Sequence, residues 1–208
     1  MRILLVNDDG IHAPGIRGLK DALQAAGHET IMVAPDSERS AASHSITLRK
    51  DIHARKIDVN EWAISGTPVD CVVIALQKII TEPIDLVVSG INAGQNMGED
   101  VLYSGTVAAA VEAAMFGHKA IALSINAYKD QLYETGTSWF VKMLESGLDK
   151  LAKAHQVLNI NFPNIPQQEV KGIRLTETGH RKYYNFISVL SETEDEFSCR
   201  IGGNSPEW

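Results

Sequence analysis

Ile3-Leu4-Leu5-Val6-Asn7-Asp8-Asp9-Gly10 opens the chain, and the fold turns on how these eight residues are read. Four consecutive apolar residues without alternation describe a strand covered on both faces, as in a parallel sheet. The run stops abruptly at polar residues, so Asn7, Asp8 and Asp9 stand at the carboxyl end of that strand.

Working outward, Ile16, Leu19, Leu23 and Ala26 recur at steps of three and four from Pro14 or Gly15 until Gly27, the spacing of an amphipathic helix with a glycine stop. His28 to Ala34 then supplies a second strand, which completes a βαβ unit ended by Pro35. Residues 36–45 are small, polar and aperiodic, a loop at the sheet's carboxyl edge. The βα alternation resumes: one or two short strands within Ile46 to Ile64, a helix over Pro68 to Ile80 opened by Thr67, and a strand over Ile84 to Val88. Ser89 to Ser104 is a long loop rich in glycine and asparagine, longer than a purely structural connection needs. Thr106 to Gly117 is an Ala-rich helix, Ala120 to Ile125 a strand, Leu132 to Ala154 a region with at least one long helix, and Val157 to Phe162 a strand.

These elements predict an α/β fold with a Rossmann-like, doubly wound, mostly parallel sheet over residues 1–165. Beyond Pro166 the pattern changes to short strand-like pieces such as Gly172 to Thr176 and Phe186 to Leu190, so residues 166–208 are expected to form a C-terminal hairpin or extension.

Composition narrows the function. The 208 residues carry a formal net charge of −7, with 44% hydrophobic and 22% charged residues, as an ordinary folded domain does. An acidic chain does not suit stable binding to nucleic acid or to an anionic membrane, since both require a basic surface. Cys71 and Cys199 form no metal-thiolate or disulfide pattern, which fits a reducing cytoplasm. No apolar run approaches the ~18 residues of a membrane span, and the N-terminal run is too short for a signal segment.

In open α/β sheets ligands bind outside the carboxyl ends of the strands, where three polar loops converge here. Asp8 and Asp9 repel each other there unless a cation compensates, and Mg²⁺ or Mn²⁺ would do so; the alternative is a pair that caps the following helix. Asn7 stands where an Asp-x-Asp phosphatase carries its nucleophile, which disfavours a covalent aspartyl route. Ser40 offers a hydroxyl oxygen to a hard cation, with Arg39 available to a phosphate. Asn92 and Asn96 can ligate metal or donate to phosphate, or can serve only as turn residues. Ser104, Gly105 and Thr106 open the Ala-rich helix, where free amides make an anion site unless capping accounts for them. His12 and His44 lie in the same loops as candidate acids or bases. Neither a dinucleotide glycine fingerprint nor a Walker lysine is present.

Asn7-Asp8-Asp9-Gly10 with His12-Ala13-Pro14-Gly15, Ala34-Pro35-Asp36 with Arg39-Ser40, Gly66-Thr67-Pro68, Ser89-Gly90-Ile91-Asn92-Ala93-Gly94, and Tyr103-Ser104-Gly105-Thr106 together resemble the SurE family of 5′/3′-nucleotidases. The resemblance implies one divalent cation, Mg²⁺ or Mn²⁺, at Asp8, Asp9, Ser40 and Asn92. It implies phosphate at Asn96, Ser104, Gly105 and Thr106, with Asp8, Asp9, Asn96 and Ser104 as catalytic residues. Hydrolysis of nucleoside monophosphates by direct water attack is the implied activity, and homodimers or homotetramers the implied assemblies. A broad phosphomonoesterase or exopolyphosphatase, or a non-catalytic nucleotide-binding module, is the alternative. The family continues beyond the Gly202-Gly203 region into a further strand, so the C-terminal extension is expected to be truncated at Trp208 or to diverge there.

Overall fold

The computed structural model describes residues 1–181 and 187–202. Its elements run β1 (Arg2–Val6), α1 (Pro14–Ala25), β2 (Glu29–Pro35), β3 (Ala54–Asp58), β4 (Glu61–Ile64), α2 (Pro68–Ile74), β5 (Leu86–Ala93), α3 (Gly105–Met115), β6 (Ala120–Ile125), α4 (Tyr133–Glu145), α5 (Leu148–Leu151), β7 (Val157–Phe162), β8 (Ile187–Glu192) and β9 (Phe197–Ile201). Seven strands form one sheet in the order β3-β4-β2-β1-β5-β6-β7, parallel except for β3 against β4.

Strand β1 pairs with both β2 and β5 and lies mid-sheet. Its side chains alternate between two cores. Ile3 and Leu5 pack with Ile16, Leu19 and Leu23 of α1 and Phe140 of α4, whereas Leu4 and Val6 pack with Val72 of α2 and Ala109 and Ala113 of α3. Both faces are therefore dry, which is why the strand reads as an unbroken apolar run. Winding proceeds outward from β1 to β2 and β4, then crosses back to β5 and outward to β7. The carboxyl ends of β1 and β5 flank the crevice where the winding direction reverses, the place such sheets bind ligands.

Several boundaries differ from the sequence expectation. Strand β5 does not stop at Val88: pairing of Asn92 with Ser124 and Ala93 with Ile125, after an irregularity past Ser89, extends it to Ala93. The loop is thus 94–104, and it contains a 3-10 turn over Gly98–Leu102. Helix α2 opens with the expected Thr67 cap, reciprocated by Asp70, but passes at Ala75–Ile79 into a π-helical turn. Residues 172–176 form no strand, because they lie exposed with no partner strand among the described residues. The expected strand from Phe186 appears as β8, paired antiparallel with β9 in a separate hairpin; Phe186 itself and residues 203–208 lie outside the described residues. No helix among the described residues is long and apolar enough to cross a membrane.

One buried carboxylate ties α1 to the sheet. Glu61 of β4, 2% exposed, accepts from Arg17 Nη1 at 2.6 Å and from Lys20 Nζ at 2.5 Å. Burial alone would raise its carboxyl pKa, but the Lys20 and Arg17 hydrogen bonds and charges outweigh burial and hold it below the ordinary value of 4.5. The stability contributed by this depressed pKa is present above about pH 4.5 and fades as the carboxylate is protonated at lower pH. Glu61→Gln should cost about 3 kcal/mol in urea unfolding at pH 7, because it leaves two cations without their partner. The gap from the wild-type chain should narrow on acidification below that range; an equal gap at both pH values would refute the linkage.

Candidate functional site at the β1–β5 crevice

The turn after β1 is closed by Asn7, which is fully buried. Its Nδ2 donates to the Gly10 carbonyl at 2.9 Å, and its Oδ1 accepts from the Gly10 amide at 3.2 Å. Asn7 thus shapes the turn that carries the two aspartates, a role its place in sequence did not disclose.

Three chain segments then converge on Asp8 and Asp9. Thr106 Oγ1 donates to Asp8 Oδ1 at 2.5 Å, the Ala93 amide at the end of β5 donates to Asp9 Oδ2 at 3.2 Å, and the Arg39 amide donates to the Asp8 carbonyl at 2.7 Å. The start of α3 presses so closely on Asp8 that a Cβ at Gly105 would fall 2.9 Å from the Asp8 Cβ and Oδ2. Only glycine lets the helix approach here. Ser104 caps α3 by accepting from the Val107 amide at 3.1 Å. The positive end of the helix therefore faces the Asp8 carboxylate.

Thr106, expected with Ser104 and Gly105 to open the helix at a phosphate, is fully buried and gives its hydroxyl proton to Asp8. Asn96 is likewise buried in a polar network. Its Nδ2 donates to Ser124 Oγ at 2.8 Å, its amide donates to Asn161 Oδ1 at 2.8 Å, and its carbonyl accepts from Asn159 and Asn161. Ser124, Asn159 and Asn161 were not picked out from the sequence, although polar residues inside the runs Ala120 to Ile125 and Val157 to Phe162 mark them. Asn92 donates from Nδ2 to the Gly94 carbonyl at 2.7 Å, and its Oδ1 accepts no hydrogen bond among the described residues. Ser40 Oγ donates to Glu38 Oε1 at 2.5 Å. His12 is exposed, and His44 faces Glu112 of α3 at 2.8 Å; neither hydrogen-bonds to an aspartate of the pair.

The electrostatics are those of a site short of positive charge. Burial pushes the Asp8 carboxyl pKa up against the opposing Thr106 bond, and pushes that of Asp9 up to about 7 with the adjacent Asp8 charge adding to it. Glu38 adds a smaller push to both. The part-buried Tyr133 phenol is raised to about 12, first by burial and then by the Asp9 charge, so it is a neighbour that sequence reasoning missed. No group of three His, Cys, Asp or Glu suited to metal occurs among the described residues. The available donors are two carboxylates, an amide oxygen and a hydroxyl, an all-oxygen set that suits a hard divalent cation.

A sequence model of the family described as Survival protein SurE matches residues 3–185. The chain belongs to this family. A 5′-nucleotidase SurE of Carboxydothermus hydrogenoformans is 45% identical over 203 residues, covering 94% of this chain and 76% of that protein. The 5′-nucleotidase SurE of Thermosynechococcus vestitus is 41% identical over 193 residues, covering 90% and 73%. The crystal structure of the SurE protein from Aquifex aeolicus superposes with a TM-score of 0.86 at 34% identity, over 98% of this chain and 82% of that one. The SurE resemblance and the Rossmann-like architecture inferred from sequence both stand.

The raised aspartates have a measurable consequence. In the cation-free protein they hold protons that the unfolded chain has released, so their contribution to stability is fully present below pH 3.8 and is lost as pH rises through about 7. Unfolding in EDTA across pH 5–9 should show this decline, and Asp9→Asn should raise stability at pH 8 by roughly 2–4 kcal/mol. A flat profile in the wild-type chain would contradict the upward shift of the Asp8 and Asp9 carboxyls.

Proposed function

We propose that this chain is a divalent-cation-dependent 5′-nucleotidase that hydrolyses nucleoside monophosphates, including 3′-monophosphates, to nucleoside and inorganic phosphate by direct attack of water. The observation that carries the reading is the meeting of β1, β5 and the start of α3 on two adjacent carboxylates, Asp8 buried and Asp9 half-buried, in a chain whose relatives bear the name 5′-nucleotidase.

Asp8, Asp9, Ser40 and Asn92 would hold one Mg²⁺ or Mn²⁺. When bound, the cation would supply Lewis acidity to a phosphate oxygen. The residues of the chain do the rest. Asp8 is fixed by Thr106, Asp9 by the Ala93 amide, and either carboxylate can orient an attacking water in line with the leaving oxygen. Asn96, Ser104 and the amides at Gly105 and Thr106 stand at the phosphate, where donors from a helix start stabilise charge on the equatorial oxygens. Asn7, standing where an Asp-x-Asp phosphatase carries its nucleophile, is tied up in the turn, which supports direct water attack over that covalent aspartyl route. A non-catalytic module is not favoured, because the relatives of this chain bear the name 5′-nucleotidase.

The same proposal places the protein in the cytoplasm and makes it a homodimer or homotetramer. The hairpin β8–β9 supports self-association, since Ile187, Val189, Leu190, Phe197 and Ile201 are all more than half exposed. Phe197→Asp should shift the chain toward monomer in light scattering, whereas a monomeric wild-type chain would remove the assembly from the reading.

Phosphate release from AMP, GMP and a generic aryl phosphate tests the activity. With Mn²⁺ the nucleotides should be turned over, EDTA should abolish release, and Asp9→Asn should lower kcat by about 100-fold or more. Turnover that survives both EDTA and Asp9→Asn would end the cation-dependent reading, and nucleotide binding without turnover would leave only a binding module.

A further inference from the structure

Glu38 stands two residues before Ser40 in the loop after β2, and nothing in the motif pattern gave it a role. The loop is seated on the aspartate turn by its backbone: the Arg39 amide reaches the Asp8 carbonyl at 2.7 Å and the Ile11 amide reaches the Pro35 carbonyl at 2.8 Å. Gly10, at φ +103°, lies against the same loop, where a Cβ would sit 3.4 Å from the Ser37 carbonyl carbon. On this seated loop Ser40 Oγ donates to Glu38 Oε1 at 2.5 Å.

Glu38 itself is an exposed glutamate. Among the described residues it forms no ion pair, and the neighbouring Arg39 turns its guanidinium to Asp36 at 3.3 Å instead. The Glu38 charge is instead felt by Asp8 and Asp9, on which it acts as a third negative neighbour.

A hydroxyl has one proton to donate and two lone pairs. When it ligates a cation through a lone pair, its proton needs an acceptor. A carboxylate acceptor aligns the oxygen and makes it a better donor to the metal, as partners of metal ligands generally do. We propose that Glu38 is a positioning residue of the cation site: by accepting the Ser40 hydroxyl proton it holds a Ser40 Oγ lone pair toward the divalent ion. This inference rests on the proposed cation reading and adds a residue to it. Glu38 does not touch the ion or the substrate and acts through Ser40. The hydroxyl stays protonated, so no proton is transferred.

Mn²⁺ binding to the full chain at pH 7, read from the loss of the free-ion electron paramagnetic resonance signal, separates the possibilities without recourse to turnover. Wild-type, Glu38→Ala, Glu38→Gln, Ser40→Ala, the Glu38→Ala/Ser40→Ala double variant and Asp9→Asn form the set. Both positions are exposed, so folding should persist, with far-UV circular dichroism and urea midpoints as the check. Glu38→Ala should weaken Mn²⁺ binding by about 10-fold or more, and Glu38→Gln, which keeps an acceptor oxygen, should recover part of that loss. In the Ser40→Ala background Glu38→Ala should have no further effect, because the two residues act as one unit. The inference fails if Glu38→Ala binds Mn²⁺ as the wild-type chain does, or if its effect is the same with and without the Ser40 hydroxyl, which would make it a long-range charge effect. Those failures leave Asp9→Asn still deficient in Mn²⁺ binding and the cation reading intact. A wild-type chain that takes up no Mn²⁺ overturns both.

Discussion

Two neighbouring carboxylates at the dry end of the central strand impose the constraint around which the rest of the molecule is arranged. Asp8 and Asp9 repel each other, and the burial of β1 removes the water that would otherwise screen them. The fold answers with donors drawn from distant parts of the chain: the Thr106 hydroxyl, the Ala93 amide and the positive end of α3. These donors ease the strain without cancelling it, since both carboxyls remain raised. A cation is the natural remaining complement.

The dry sheet makes this arrangement possible. Because β1 is covered on both faces, its carboxyl end cannot shift without disturbing two packed cores. Asn7 then fixes the turn geometry through two bonds to Gly10. Ser40 arrives on a loop anchored to the backbone of that same turn, so the candidate ligands are brought together by main-chain hydrogen bonds as much as by their own side chains.

Much of this was legible in the chain. The apolar run Ile3 to Val6, the 3–4 spacing of Ile16, Leu19 and Leu23, and the polar stop at Asn7 are local signals, and local signals suffice for a buried parallel strand and its crossover helix. Boundaries were less legible where pairing decides them. The residues Ser89 to Ala93 look like a glycine-rich loop, yet strand β6 draws them into the sheet. The piece Gly172 to Thr176 looks like a strand, yet no neighbouring strand pairs with it. Asn159 and Asn161 were read only as part of a strand, because their value lies in meeting Asn96 across more than sixty residues.

By itself the sequence determined the α/β class, the family, and the residue types available at the sheet's carboxyl edge, since periodicity and linked motifs are properties of short stretches. Only the tertiary structure decided how those residues are used. It assigned the Thr106 hydroxyl to Asp8, drew Asn96 into the network at β6 and β7, and seated the loop that carries Glu38 and Ser40 against the aspartate turn. The reason is physical: a hydroxyl or amide has few hydrogen bonds to give, and which acceptor receives them depends on distances that exist only once the chain has closed upon itself.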